Sequence, residues 1–211
     1  MDVTTRRSLH GVAELLIAGP QHRGHGTIRL RVTPGGFGGV AVPVRVEGVE
    51  LVGDGGRAPL AGTYRALAAA TGIADPGAPD SYTDTSGVGL DEEIDVEAAA
   101  AARIAGWFAR GDAGLRAFAP DLEPVLWPEH FDLAVTLDEV NYGVSPGDRG
   151  HRAPYAYVGP WTPRTGTFWN ASFGALRPAT DLPTAEAVAA FFAAGRSAAG
   201  SAGRGGGGDQ E

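Results

Sequence analysis

His130, Asp132 and Asp138 are the residues of this chain whose types and spacing best suit proton transfer, and they sit close together in sequence. The first two belong to Trp127-Pro128-Glu129-His130-Phe131-Asp132, and Asp138 opens the run Asp138-Glu139-Val140-Asn141-Tyr142. Successive side chains of a strand point to opposite faces. If Phe131, Leu133 and Val135 face a core, then His130, Asp132, Thr136 and Asp138 share the other face. An imidazole there, oriented by Asp132 or Asp138, suits general acid/base work near neutral pH. The bland alternative is a polar, solvent-facing strand with a His–Asp pair. His130-Phe131-Asp132 also has the His-x-Asp spacing by which non-haem iron oxygenases hold a metal, with His151 as the sole later histidine for a third ligand. His10 and Glu14, one helical turn apart, and His22 and His25 after them form a second group of metal-ligand types, though such residues are commonly just polar surface. No metal ligand and no cofactor is assigned, and metal binding by His10 with Glu14 or by His130 with Asp132 stays open.

Aromatic residues crowd the C-terminal half. Trp127, Tyr155, Tyr157 and Trp161, with Asn170 as an amide, are assigned as the binding residues of a cleft for a small molecule. The same rings would serve equally as core, or as plugs at the ends of strands. Asn170-Ala171-Ser172-Phe173-Gly174 lacks the first glycine of a nucleophile elbow and lies in a strand-like pattern.

Absences remove whole chemistries. The chain has no cysteine, which excludes a thiol nucleophile, a thiolate metal site and a disulfide framework. All 17 of its basic residues are arginine, so there is no lysine for a Schiff base or for a Walker-type phosphate loop. Pro34-Gly35-Gly36-Phe37-Gly38-Gly39 is therefore read as a turn. The net charge is −8 and the basic residues form no run, which argues against nucleic acid and anionic membranes as partners. Thr5-Arg6-Arg7-Ser8-Leu9-His10 superficially resembles an export signal, but the apolar stretch after it is short and holds Glu14, so a cytoplasmic location is expected.

The elements that must position these residues follow from periodicity. Leu9, Val12, Ala13 and Leu16 predict a short amphipathic helix stopped at Gly19-Pro20. Ile28, Leu30 and Val32, then Val42, Val44 and Val46, alternate as strands. Thr63 caps a helix over 64–70. A stronger helix follows Asp95, with Ile104, Trp107, Phe108, Leu115 and Phe118 on one face and Gly111 and Gly114 as breaks. The strand from Phe131 to Leu137, a type II turn at Ser145-Pro146-Gly147-Asp148, and strands at 155–158 and 168–176 make a meander. Thr184 caps a last helix. The 211 residues, 43 % of them hydrophobic, suit a single domain over 1–195, and the Gly/Ser/Ala-rich 196–211 predicts a disordered tail. The expected fold is α+β, an antiparallel sheet of about five strands covered by helices.

The Gly26-Thr27-Ile28-Arg29-Leu30 strand, Trp127 to Asp132, Tyr142-Gly143-Val144-Ser145-Pro146-Gly147-Asp148 and Pro154-Tyr155-Ala156-Tyr157-Val158-Gly159-Pro160-Trp161 carry a resemblance. In their order and approximate spacing, the chain resembles a bacterial domain-of-unknown-function family common in actinobacteria. It departs from that pattern between the first two strands, where relatives are rich in Trp, Asn and His and this chain has glycines. The resemblance implies an intact fold and carries no catalytic roles. Three functional readings result: a small-molecule-binding domain with an aromatic-lined polar cleft, an enzyme using His130 as general acid/base, and a non-catalytic interaction module.

Overall fold

A computed structural model describes residues 3–79 and 85–201. The apolar stripe from Leu9 to Leu16 builds a helical run in three parts: α1 (Val3–Gly11), a π-helical segment (Val12–Ala18) and α2 (Gly19–His25). Gly19-Pro20 was expected to stop the helix, and the π turn explains why it does not. Pro20 has no N–H to give. The carbonyl of Leu15 that a π-type bond from residue 20 would have used receives the Gly77 amide instead, at 2.8 Å. A Cβ on Gly19 would lie 1.6 Å from the Gly77 oxygen, so the loop can come that close only to glycine.

The strands are β1 (Leu30–Thr33), β2 (Gly36–Gly39), β3 (Arg45–Glu47), β4 (Glu50–Gly53), β5 (Gly56–Pro59), β6 (Val125–Trp127), β7 (Asp132–Leu137), β8 (Val140–Ser145), β9 (Tyr155–Pro160) and β10 (Ala175–Pro178). They form one antiparallel sheet in the order β10-β9-β8-β7-β6-β1-β2-β3-β4-β5, two meanders joined where Leu30 pairs with Leu126. The fold is α+β as expected, but the sheet has ten strands rather than about five. Of the strands not expected, β2 and β5 are short and carry no apolar alternation, whereas β8 does carry one, through Val140, Tyr142 and Val144, and follows β7 after only two residues. Gly36–Gly39, expected as part of a turn, is β2, paired residue for residue with β1, while Val42 and Val44 precede β3 rather than lying in it.

Between the meanders lie α3 (Tyr64–Ala70), capped by the Thr63 hydroxyl on the Ala66 amide, and α4 (Ala98–Phe118). Glu97, not Asp95, is the N-cap of α4, its carboxylate receiving the amides of Ala99 and Ala100. Gly111 and Gly114 do not break α4. They are packing contacts: a Cβ on Gly111 would lie 2.2 Å from Val144 on β8, and one on Gly114 2.7 Å from Val188 of α5 (Ala185–Ser201). Thr184 caps α5 as expected. The helix then continues through Ser201, into the segment expected as tail, and the remainder of that segment lies outside the described residues.

One face of the sheet's second half packs on α4 and α5 through Leu133, Val135, Tyr142, Val144 and Val158. By strand alternation the other face presents Asp132, Ala134 and Thr136 on β7, Asn141, Gly143 and Ser145 on β8, and Tyr155, Tyr157 and Gly159 on β9. Among the described residues no helix is long and apolar enough to cross a membrane.

Candidate functional site

That outer face forms the floor of a cleft of about 1020 Å3, walled by α1, by the β6–β7 turn and by the β8–β9 loop. Its centre is a carboxyl–phenol pair. Asp132 is 8 % exposed, and its Oδ2 accepts a hydrogen bond from the Tyr157 hydroxyl. The two residues stand on strands that are not neighbours, and Gly143 lets them meet. It pairs with Tyr157 on one side and Ala134 on the other, and a Cβ there would lie 2.6 Å from the phenol oxygen. The Tyr157 ring therefore lies across β8 where a side chain would otherwise stand, as mid-strand glycine permits.

Asp132 Oδ1 is buried and has no hydrogen-bond partner among the described residues. Burial pushes the Asp132 carboxyl above the usual carboxylate range, and the Tyr157 hydrogen bond and the charge of His130 oppose that only in part. Burial also drives the Tyr157 phenol well above its ordinary value, with the Asp132 charge adding to it. A carboxyl raised in the folded state supports folding below its unfolded pKa and loses that contribution as pH rises through the folded value. Asp132→Asn keeps a carbonyl oxygen for Tyr157 and removes the buried charge. We expect it to melt higher than wild type at about pH 7, with the gain gone at about pH 4. A melting temperature below wild type only at the higher pH would show instead that ionised Asp132 stabilises the fold.

A second pair lies beside the first. The Tyr155 hydroxyl donates to Asp148 Oδ2, the His151 amide donates to Oδ1 at 2.6 Å, and the Tyr155 and Tyr157 rings are 6.2 Å apart. Burial pushes the Asp148 carboxyl up, but the bonds from Tyr155, His151 and Gly150, with the Arg6 charge, outweigh it and hold the group below the usual range. Burial and the Asp148 carboxylate drive Tyr155 up. The two aspartates thus differ: Asp148 anchors its loop as a carboxylate, while Asp132 retains a proton more readily.

The wall from α1 is tied to this floor by His10. Its Nε2 donates to the Pro128 carbonyl at 2.7 Å, lies 3.4 Å from Glu14 Oε1, and its ring stacks on Phe131 at 5.3 Å. Glu14, buried on the π-helical segment, also receives the Ser86 amide and hydroxyl. Phe131 is clamped by His10, Phe37 and Phe108 in a left-handed conformation (φ +52°) that costs a residue with a Cβ about 1–2 kcal/mol. It is the last residue of the turn rather than the first of the strand, and it sets the direction in which Asp132 enters β7.

Of the residues singled out in the sequence, His130, Asp132, Tyr155, Tyr157 and Trp161 all line the cleft. His130 stands exposed near Glu129, and Trp161 is 64 % exposed, its indole N–H directed at Asn141. Three others are not among its lining residues. Asp138 is in the β7–β8 turn (φ +53°), outside the cleft, and pairs with Arg196 at 3.0 Å. Trp127 stands directly across from Asp132 in the β6–β7 pair but is not among the lining residues, and its ring packs under the Arg29 guanidinium at 5.9 Å. Asn170 spends its amide on the Leu176 backbone, donating at 3.1 Å and accepting at 2.8 Å, which closes the turn before β10. His151 packs edge-on against Tyr155, and among the described residues no group of three or more metal-ligand side chains is placed to hold an ion. Sequence reasoning missed Arg6, Asp148 and Gly143. Gly143 had a signal, an isolated glycine within an alternating strand, whereas nothing marked Arg6.

No family model matches this chain, and neither a curated protein nor a solved structure matches it.

Proposed function

We propose that the protein binds a small molecule in this cleft, with Asp132 and Tyr157 as its polar floor and Trp161 as an apolar wall. The observation that carries the reading is the buried Asp132 oxygen without a partner, in a cleft of the size that holds small ligands. A ligand hydrogen-bond donor supplies what that oxygen lacks. The segments through which the chain resembles the bacterial family contribute much of the lining, and membership of that family is part of the same proposal.

One observation favours an enzymatic second reading: the raised carboxyl of Asp132, held by a phenol, is suited to giving and taking a proton. In that reading Asp132 takes the central role and His130, at the rim, assists it.

A thermal-shift screen of small metabolites tests the proposal, because a ligand that binds only the folded state raises its melting temperature. His130→Ala, on an exposed position, should change stability by less than about 0.5 kcal/mol. Compounds that stabilise the wild type should lose most of their shift in Tyr157→Phe. Shifts that survive unchanged in both variants would place binding elsewhere.

A further inference from the structure

Resting on that reading of the cleft, we infer that its ligand is a ring-bearing acid, its carboxylate or phosphate received by Arg6 and its ring laid against Phe173 and Trp161. Arg6 stands on α1 and lines the cleft half-buried. Its guanidinium donates to two backbone carbonyls, those of Asp148 and Arg152, each at 3.3 Å, and among the described residues it forms no ion pair. Arginine carries five N–H donors, so two long bonds leave much of the fork unspent. Arg7, its neighbour in sequence, is instead paired with Glu92 at 2.9 Å, and the partly covered Arg23 and Arg45 are likewise paired with carboxylates. Burial of this guanidinium is offset only in part by the nearby Asp148 charge, and a bound anion with bidentate geometry would offset the rest.

The charges around Arg6 leave room for such an anion. The nearest carboxylate, Asp148, is already engaged by the Tyr155 hydroxyl and the His151 amide. Arg149 lies exposed at the mouth of the same cleft and adds positive charge, as His10 and His130 do when protonated. Among the described residues Glu129 and Asp132 are the other acids of the lining, and Glu129 stands beside His130 at 3.7 Å.

The ring follows from the apolar surface. Of the five large hydrophobic residues that the described chain leaves exposed, Val3, Trp161 and Phe173 line this one cleft, and Val40 and Val49 do not. Clustered apolar exposure of this kind marks a binding surface. Phe173 and Arg6 line the same cleft and are linked through two residues: the Phe173 ring is 6.4 Å from that of Tyr155, whose hydroxyl bonds the same Asp148 whose carbonyl accepts from Arg6.

The test is calorimetric titration of the full chain with four probes sharing one ring: phenylacetate, phenyl phosphate, benzylamine and benzyl alcohol. Acetate and inorganic phosphate serve as ringless arms. One of the two ring acids should bind about tenfold or more tighter than the amine and the alcohol, and tighter than its ringless counterpart. The stronger of the two then names the acid. In Arg6→Gln that preference should disappear, while Arg149→Ala should reduce it less. Should Arg6→Gln not fold, as judged by its circular dichroism, the wild-type ranking and Arg6→Lys decide, the lysine variant keeping the charge and losing the fork. Amine or alcohol binding as tightly as the acids overturns this inference and leaves the cleft reading standing. Acid binding unchanged in folded Arg6→Gln does the same. Failure of all four ring probes overturns both.

Discussion

Replacing Trp107 by alanine is expected to cost about 3–5 kcal/mol of unfolding free energy. Trp107 is 3 % exposed on α4, and its indole N–H donates to the Ser145 carbonyl at 2.9 Å. That carbonyl ends β8, immediately before the Pro146-Gly147-Asp148 turn, so the side chain both fills the core and fixes the start of the loop that carries Asp148. Alanine leaves a cavity and removes that hydrogen bond together. Trp107→Phe should recover most of the packing and still lose about 0.5–1.5 kcal/mol for the missing hydrogen bond. Equilibrium denaturant unfolding measures both values. A loss below about 1 kcal/mol for the alanine variant would contradict the packing described for α4.

The second large effect is expected at Gly143, where alanine should cost about 2–4 kcal/mol and damage the cleft at the same time. Nothing about the backbone there demands glycine; the demand comes from the Tyr157 ring, which would lie within 2.6 Å of the new methyl. The ring is not free to yield, because its hydroxyl is bound to Asp132. Either the sheet shifts or the phenol swings away and leaves a buried carboxyl with both oxygens unpaired. In Gly143→Ala combined with Tyr157→Ala the clash is absent, so the double variant should be no less stable than Tyr157→Ala alone. Additive losses from the two changes would refute the contact.

Much of the fold was legible because burial imposes a period. Leu9 to Leu16, Ile104 to Leu115 and Val188 with Phe192 lie in the core as their helical spacing predicts, and Leu133 and Val135 as their alternation does. The elements that were missed or misjudged are those where a neighbour, and not the segment itself, decides the outcome. The strand Gly36–Gly39 exists because β1 pairs with it, and the helical run passes Pro20 because Gly77 takes the carbonyl that Pro20 cannot. Gly111 and Gly114 mark close packing inside a continuous helix, since Val144 and Val188 occupy the space where a side chain would stand.

The site divides in the same way. His130, Asp132, Tyr155, Tyr157 and Trp161 were within reach because strand alternation places residues on one face without knowledge of the partner strand. Asp138 passed the alternation test and failed because the chain turns at that residue. Asn170 and Trp127 were chosen by type, and each is used locally, one on the Leu176 backbone and the other under Arg29. Arg6 comes to the cleft from the far N-terminal end of the chain, a juxtaposition that only the packing of α1 against the β8–β9 loop creates.

The measurement that tests the central claim most directly is amide chemical-shift mapping of the 15N-labelled protein during titration with a compound that raises its melting temperature. The account predicts saturable shifts concentrated at His130 to Asp132, Ser145 to Gly150 and Tyr155 to Trp161, with the α4 and α5 amides behind the sheet little changed. Saturable shifts confined to the other half of the sheet, around β2 to β5, with the amides of Asp132 and Tyr157 unmoved, would contradict it.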